Sequence, residues 1–162
     1  YGHSRGGGIA LLSAAQDPPD ALVIWAPIDD VDRIDAATKE VWRRAGRLPI
    51  PNLRTGQVHH LGLEILDEFE ADRARFDILA AAARVVCPSL VVHGTADDAV
   101  PVTTGERVAK VLPSGSLLAI EGANHAFGAT HPLRPTPDGM LHGHLERALG
   151  ATVEHFVRWS KP

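Results

Sequence analysis

An α/β fold with a mostly parallel sheet covered by helices is predicted by three observations. Apolar runs of strand length recur, each is followed by a loop and a helix-compatible stretch, and a helix-spaced apolar pattern closes the chain. Gly6 to Gln16 is small, apolar and helix-compatible, and Asp17, Pro18, Pro19 and Asp20 stop it. Ala21, Leu22, Val23, Ile24, Trp25 and Ala26 then form an unbroken apolar run closed by Pro27, the pattern of a strand covered on both faces. The same pattern returns at Ser89 to His93 and, more weakly, at Ser116 to Glu121. Val102 to Leu112 reads as the helix between those two strands, ended by Pro113. From Gly143 to Trp159, Leu145, Ala148, Leu149, Thr152, Val153 and Phe156 fall at helical spacing and predict a final helix against one face of the sheet.

Residues 29–75 break this rhythm. They are charged and irregular, with Arg43-Arg44, Pro49, Pro51, Arg54 and the pair His59-His60. A long excursion just past a strand is usually functional or disordered and rarely a plain connector; here it is read as a cap or lid inserted into a core made of residues 1–28 and 76–162. Within it, Arg54, Thr55, Gly56 and Gln57 are candidates for substrate contact, and a charged outer surface explains them equally well.

Composition excludes several classes of function. Sixteen Lys and Arg against 20 Asp and Glu leave a net charge of -4, so there is no basic field to attract nucleic acid. The apolar runs are far shorter than the ~20 residues that span a bilayer, and the opening residues lack a signal-peptide pattern. A soluble, cytoplasmic domain without membrane contact is the expectation. The single cysteine, Cys87, permits no internal disulfide and, beside Pro88 at the start of an apolar run, reads as a buried thiol.

Gly2-His3-Ser4-Arg5-Gly6 fits G-x-S-x-G, where a sharp strand-to-helix turn lifts a serine above the sheet edge. Such a turn holds the serine in strained backbone geometry, and small residues two positions to either side are expected to avoid collisions with the neighbouring strand and helix. At the start of a helix the Ser4 hydroxyl feels the dipole, and the Arg5 N–H is a candidate oxyanion donor. A phosphate loop also uses glycine before a helix, but its G-x-x-x-x-G-K-[ST] pattern is absent.

Serine needs a histidine base, itself oriented by a carboxylate. Past the strand at 89–93 comes Gly94-Thr95-Ala96-Asp97-Asp98-Ala99-Val100-Pro101, which places two carboxylates in a loop beyond a strand end. Past the next strand comes Gly122-Ala123-Asn124-His125, which places a histidine in the equivalent loop. The order Ser4, Asp97, His125 is that of a known catalytic arrangement, although Asp97 alone would serve as a turn residue and His125 alone as a loop cap. Asp98, the neighbour of Asp97, is expected to cap the segment that follows.

Together these motifs resemble the α/β-hydrolase superfamily, in its dienelactone-hydrolase-like and prolyl-oligopeptidase-like esterase branch. The resemblance runs along essentially the whole chain, through Gly-His-Ser-Arg-Gly-Gly at 2–7, His93-Gly-Thr-Ala-Asp97 with Val100-Pro101, and Gly122-Ala-Asn-His125. It implies a three-layer sheet and a triad of Ser4, Asp97 and His125. Dienelactone hydrolase itself carries cysteine at the position of Ser4, and epoxide hydrolases and haloalkane dehalogenases carry aspartate there. The implied activity is hydrolysis of a small-molecule carboxylic ester or related acyl compound through an acyl-enzyme, with no cofactor and no metal. Peptidase or thioesterase chemistry on the same triad, or a binding protein that has kept the fold, are the alternatives.

Nine histidines raise a metal hypothesis, with His59-His60 and His142-x-His144 as the crowded places. Neither pair is completed by a recognised ligand spacing, so solvent-facing polar residues are expected. Trp25 is expected in the core, and His131 and Pro132 are expected to shape the histidine loop. Because the resembling family builds about eight strands and takes a second oxyanion N–H from upstream of the elbow, a missing amino-terminal half, including the strand that delivers Ser4, is a further expectation.

Overall fold

The structure is a computed structural model that describes residues 1–52, 55–130, 132–134, 136 and 141–159; Arg54 and His131, singled out above, lie outside the described residues. In chain order the elements are β1 (Gly2–His3), α1 (Arg5–Ala14), β2 (Leu22–Trp25), α2 (Ala36–Ala45), β3 (Arg47–Pro51), β4 (Val58–Gly62), α3 (Leu63–Ala71), a 3-10 turn (Arg73–Phe76), α4 (Ile78–Ala82), β5 (Ser89–Gly94), α5 (Val102–Val111), β6 (Gly115–Ile120) and α6 (Gly143–Trp159). They divide into two compact units, one of Tyr1–Val31 with Asp77–Pro162 and one of Asp32–Phe76.

The larger unit is built on a parallel sheet in the order β1-β2-β5-β6. β2 and β5 are buried along their whole length, so their residues, Ser89 and His93 aside, are apolar on both faces and alternate between two cores. Leu22 and Ile24 join Leu11 of α1, Ile78 of α4, Val91 and Val108 of α5 on one side. Val23 and Trp25 join Val92, Phe127 and, from α6, Leu145 and Ala148 on the other. Each fully buried Ile, Leu or Val contributes about 1.5–3 kcal/mol, so these two layers dominate the stability of the unit. Cys87 is buried in the first layer.

The strand missing from the sequence pattern is represented in the structure by two residues. Gly2 and His3 pair in parallel with Ile24 and Trp25, so a strand segment does lead into Ser4. Neither side chain carries an apolar signal, which is why the segment has no strand character in the sequence.

The smaller unit is regular where the sequence predicts irregularity. α2 starts at Asp35, whose carboxylate accepts hydrogen bonds from the Thr38 N–H at 2.9 Å and hydroxyl at 2.7 Å, and ends at Gly46, whose φ of 70° suits a left-handed cap. β3 and β4 form an antiparallel ribbon. Its Pro49 and Pro51 are tolerated because a two-stranded ribbon is all edge, and those prolines hide β3 from a pattern search. His59 and His60 are adjacent on β4 and so point to opposite faces of the ribbon. Trp42, Leu48 and Leu66 form a small core, with Ile34, Leu61 and Leu63 packed around it. No helix among the described residues is long and apolar enough to cross a membrane.

Candidate active site

Ser4 stands between β1 and α1 with φ 56° and ψ −121°, a conformation that costs a non-glycine residue of order 1–3 kcal/mol. Its backbone is locked into that shape. The Ser4 N–H continues the ladder to Trp25 O at 2.8 Å, while its carbonyl accepts from Gly7, Gly8 and Ile28 N–H at 3.0, 3.3 and 3.2 Å. The half-buried side chain makes no capping bond to α1. Arg5 opens α1, and the N–H groups of a first helical turn have no acceptor within their own helix.

The glycines around Ser4 divide in an unexpected way. A Cβ on Gly2 would lie 2.3 Å from Gly6 O, so that position admits no side chain. A Cβ on Gly6 would meet nothing within 4 Å, so the collision expected there is not found. The tight positions on the helix are Gly7, against Pro27, and Gly8, against Ile28 and Ile78.

The acid and the histidine meet directly. His125 Nδ1 lies 2.7 Å from Asp97 Oδ2, with the Asp97 side chain fully buried and the His125 side chain 24% exposed. The other Asp97 oxygen, Oδ1, accepts from Ala99 and Val100 N–H at 2.9 and 2.8 Å. Asp97 thus closes its own loop as well as holding the imidazole. The capping role expected of Asp98 falls to Asp97 instead, and Asp98 is exposed.

Four residues without an assigned role in the sequence hold these loops together. His3 Nε2 lies 2.9 Å from the His125 carbonyl, and the two rings pack 4.7 Å apart, so the residue beside Ser4 touches the histidine loop. Asn124 Oδ1 accepts from Ala126 and Gly128 N–H at 3.2 and 2.9 Å and folds the histidine loop. Thr95 Oγ1 accepts from Gly122 N–H at 2.9 Å, tying the acid loop to the histidine loop. His93 is wholly buried, 3.4 Å from Asp97 Oδ2. Asn124 and Thr95 stand in short loops after strands, where side-chain to backbone bonding is common, and that was the available signal.

Among the described residues, the non-glycine residues with positive φ are Ser4, Ala26 and Phe127. One follows β1, one follows β2 and one lies two residues past His125, so the backbone strain gathers around one edge of the sheet. Trp25 is buried there, donating from Nε1 to Thr152 Oγ1 at 2.9 Å and packing edge-on against Phe127, in keeping with a core role. The His142 and His144 rings lie 4.8 Å apart. Among the described residues no cluster of three His, Cys, Asp or Glu has the arrangement of a metal site.

The chain has the α/β-hydrolase fold. It superimposes on Est1E from Butyrivibrio proteoclasticus with a TM-score of 0.63 and 24% identity, over 98% of this chain and 59% of Est1E. A Paleococcus ferrophilus monoacylglycerol lipase aligns with a TM-score of 0.66 and 20% identity, over 98% of this chain and 67% of the lipase. In sequence, 61 residues are 37% identical to the non-heme chloroperoxidase CPO-A1 of Kitasatospora aureofaciens, spanning 37% of this chain and 19% of the chloroperoxidase. No family model matches the chain. The chain therefore spans less than two thirds of the length of Est1E, and the stretch aligned with the chloroperoxidase spans 19% of that protein.

Proposed function

We propose that the chain carries the catalytic triad of a serine hydrolase that cleaves a carboxylic ester through an acyl-enzyme. The observation that carries this reading is the 2.7 Å contact between His125 Nδ1 and a fully buried Asp97 carboxylate, in a loop that also touches the residue beside Ser4. An aspartate on Nδ1 fixes the imidazole tautomer and leaves Nε2 to act as the base. In the proposed reaction Ser4 Oγ attacks the carbonyl carbon, and its proton passes to His125 Nε2. The Arg5 N–H donates one hydrogen bond to the developing oxyanion, and Asp97 stabilises the imidazolium. Collapse expels the alcohol, which receives the proton from His125. Water then repeats the sequence and releases the acid.

An ester substrate agrees with the names of the structural neighbours, one a monoacylglycerol lipase and the other, Est1E, seen with ferulic acid bound. A fluorophosphonate probe followed by peptide mass spectrometry tests the nucleophile: labelling of Ser4 that disappears in Ser4→Ala is expected, and an unlabelled Ser4 overturns the reading. A series of chromogenic esters of increasing acyl length then reads specificity.

A further inference from the structure

The fully buried His93 is the titratable group that the proposed reaction leaves without a task. It is the penultimate residue of β5, and its Nε2 lies 2.9 Å from the Val100 carbonyl and 3.4 Å from Asp97 Oδ2. A carbonyl oxygen only accepts, so the proton of this ring sits on Nε2. Its Nδ1 has no partner among the described residues and faces α5, where a Cβ on Gly105 would come within 2.4 Å of it. The ring is therefore seated in one orientation, with its one N–H directed at the acid loop.

That N–H completes a closed arrangement. Val100 gives its N–H to Asp97 Oδ1, and its carbonyl receives the N–H of His93. The same His93 nitrogen approaches Oδ2, the oxygen that holds His125. Each Asp97 oxygen thus has a fixed neighbour besides the catalytic histidine, and rotation of the carboxylate about its last bond is opposed from both sides. We propose that His93 is a positioning residue, whose Nε2–H sets the Asp97 carboxylate so that Oδ2 faces His125, and that Gly105 is the space its ring requires. The proposal rests on the triad reading for its kinetic consequence but not for its geometry.

The test compares His93→Leu, which keeps apolar bulk without a donor, with His93→Gln, whose amide N–H reaches about as far as Nε2. Ester kcat and KM are measured together with thermal unfolding and the far-downfield proton resonance of the His125 Nδ1–H on Asp97. His93→Leu is expected to lower kcat about ten- to hundredfold with KM unchanged and to move the resonance, and His93→Gln to recover most of both. Wild-type kcat and an unmoved resonance in folded His93→Leu would overturn the proposal. If His93→Leu does not fold, Gly105→Ala, which pushes on the ring from α5, carries the same two readouts, and no change in either overturns it. Absence of Ser4 labelling and of ester turnover in the wild type would remove the hydrolase reading alone. The resonance would still report whether His93 holds Asp97 against His125.

Discussion

In the sheet unit, two apolar layers sandwich the two central strands, β2 and β5, which are buried along their length; in the inserted unit, three buried apolar residues sit beneath a ribbon and two helices whose outer faces are charged. The first arrangement fixes strand ends to within small tolerances, because close-packed side chains on both faces resist any local shift. The second is held by a helix cap at Asp35 and by surface ion pairs such as Arg43 with Glu70, interactions that are individually weak. Ser4, Asp97 and His125, the proposed triad, all belong to the first unit. The difference separates the two regions: rigid strand ends for the proposed triad in one, and a small core beneath a charged surface in the other.

The largest expected effect breaks the sheet unit's chemistry while sparing its packing. Ser4→Ala should lower turnover by about three orders of magnitude or more, with thermal unfolding unchanged, since only binding and oxyanion stabilisation remain. Near-wild-type hydrolysis would refute the triad. Next in size is a pair of neighbours: Asp97→Asn should lower kcat by roughly 10³–10⁴-fold, whereas Asp98→Asn, at an exposed position, should leave it within a few-fold. The opposite ranking in steady-state assays would transfer the acid to Asp98.

Stability measurements sharpen the contrast further. Ile24→Ala, in the fully buried middle of β2, should cost about 2–5 kcal/mol in denaturant unfolding. Trp42 in the inserted unit is buried with its Nε1–H unpartnered among the described residues. Trp42→Phe removes that orphan donor and should change stability by less than about 1.5 kcal/mol. A larger loss would show that the indole N–H contributes to the small core.

The smallest effect concerns acid. Asp35 is held below the usual carboxylate range by hydrogen bonds from Thr38, the backbone one first, and Glu70 by its hydrogen bond from Arg43. A carboxylate with a lowered value in the folded state favours folding above the ordinary carboxylate range. That contribution fades as pH falls through the lowered value. Asp35 is exposed and Glu70 only half-buried, so the loss should be local: amide exchange in α2 should speed up in acid before exchange in β5 does. Simultaneous loss of protection in α2 and β5 would contradict the separation of the two units.

What could be read from the sequence followed the same division. β2, β5 and α6 were legible because burial on two faces, or on one helical stripe, forces apolar residues into runs or a fixed period. The pairing of the loops after β5 and β6 was legible, since Asp97 and His125 fall at strand ends in a recognisable order and the two side chains do meet. β1 was not legible, because Gly2 and His3 carry no apolar signal. The β3 to β4 ribbon was obscured by Pro49 and Pro51, residues that a lone ribbon tolerates. The role of Asp98 was misread because two adjacent carboxylates look alike until the separate partners of the Asp97 oxygens are seen. Gly6 was misread because its small size is not required by any neighbour among the described residues.

The two oxygens of Asp97 carry a consequence for inheritance. Oδ1 ties down the turn at Ala99 and Val100 whether or not any reaction takes place, so selection for a well-formed loop would keep an aspartate there in descendants that had abandoned turnover. Among the described residues, no side-chain hydrogen bond of Ser4 or His125 ties down a turn in the same way. On the proposed reading, a lineage drifting away from hydrolysis should therefore lose those two first, with Asp97 surviving as a structural relic.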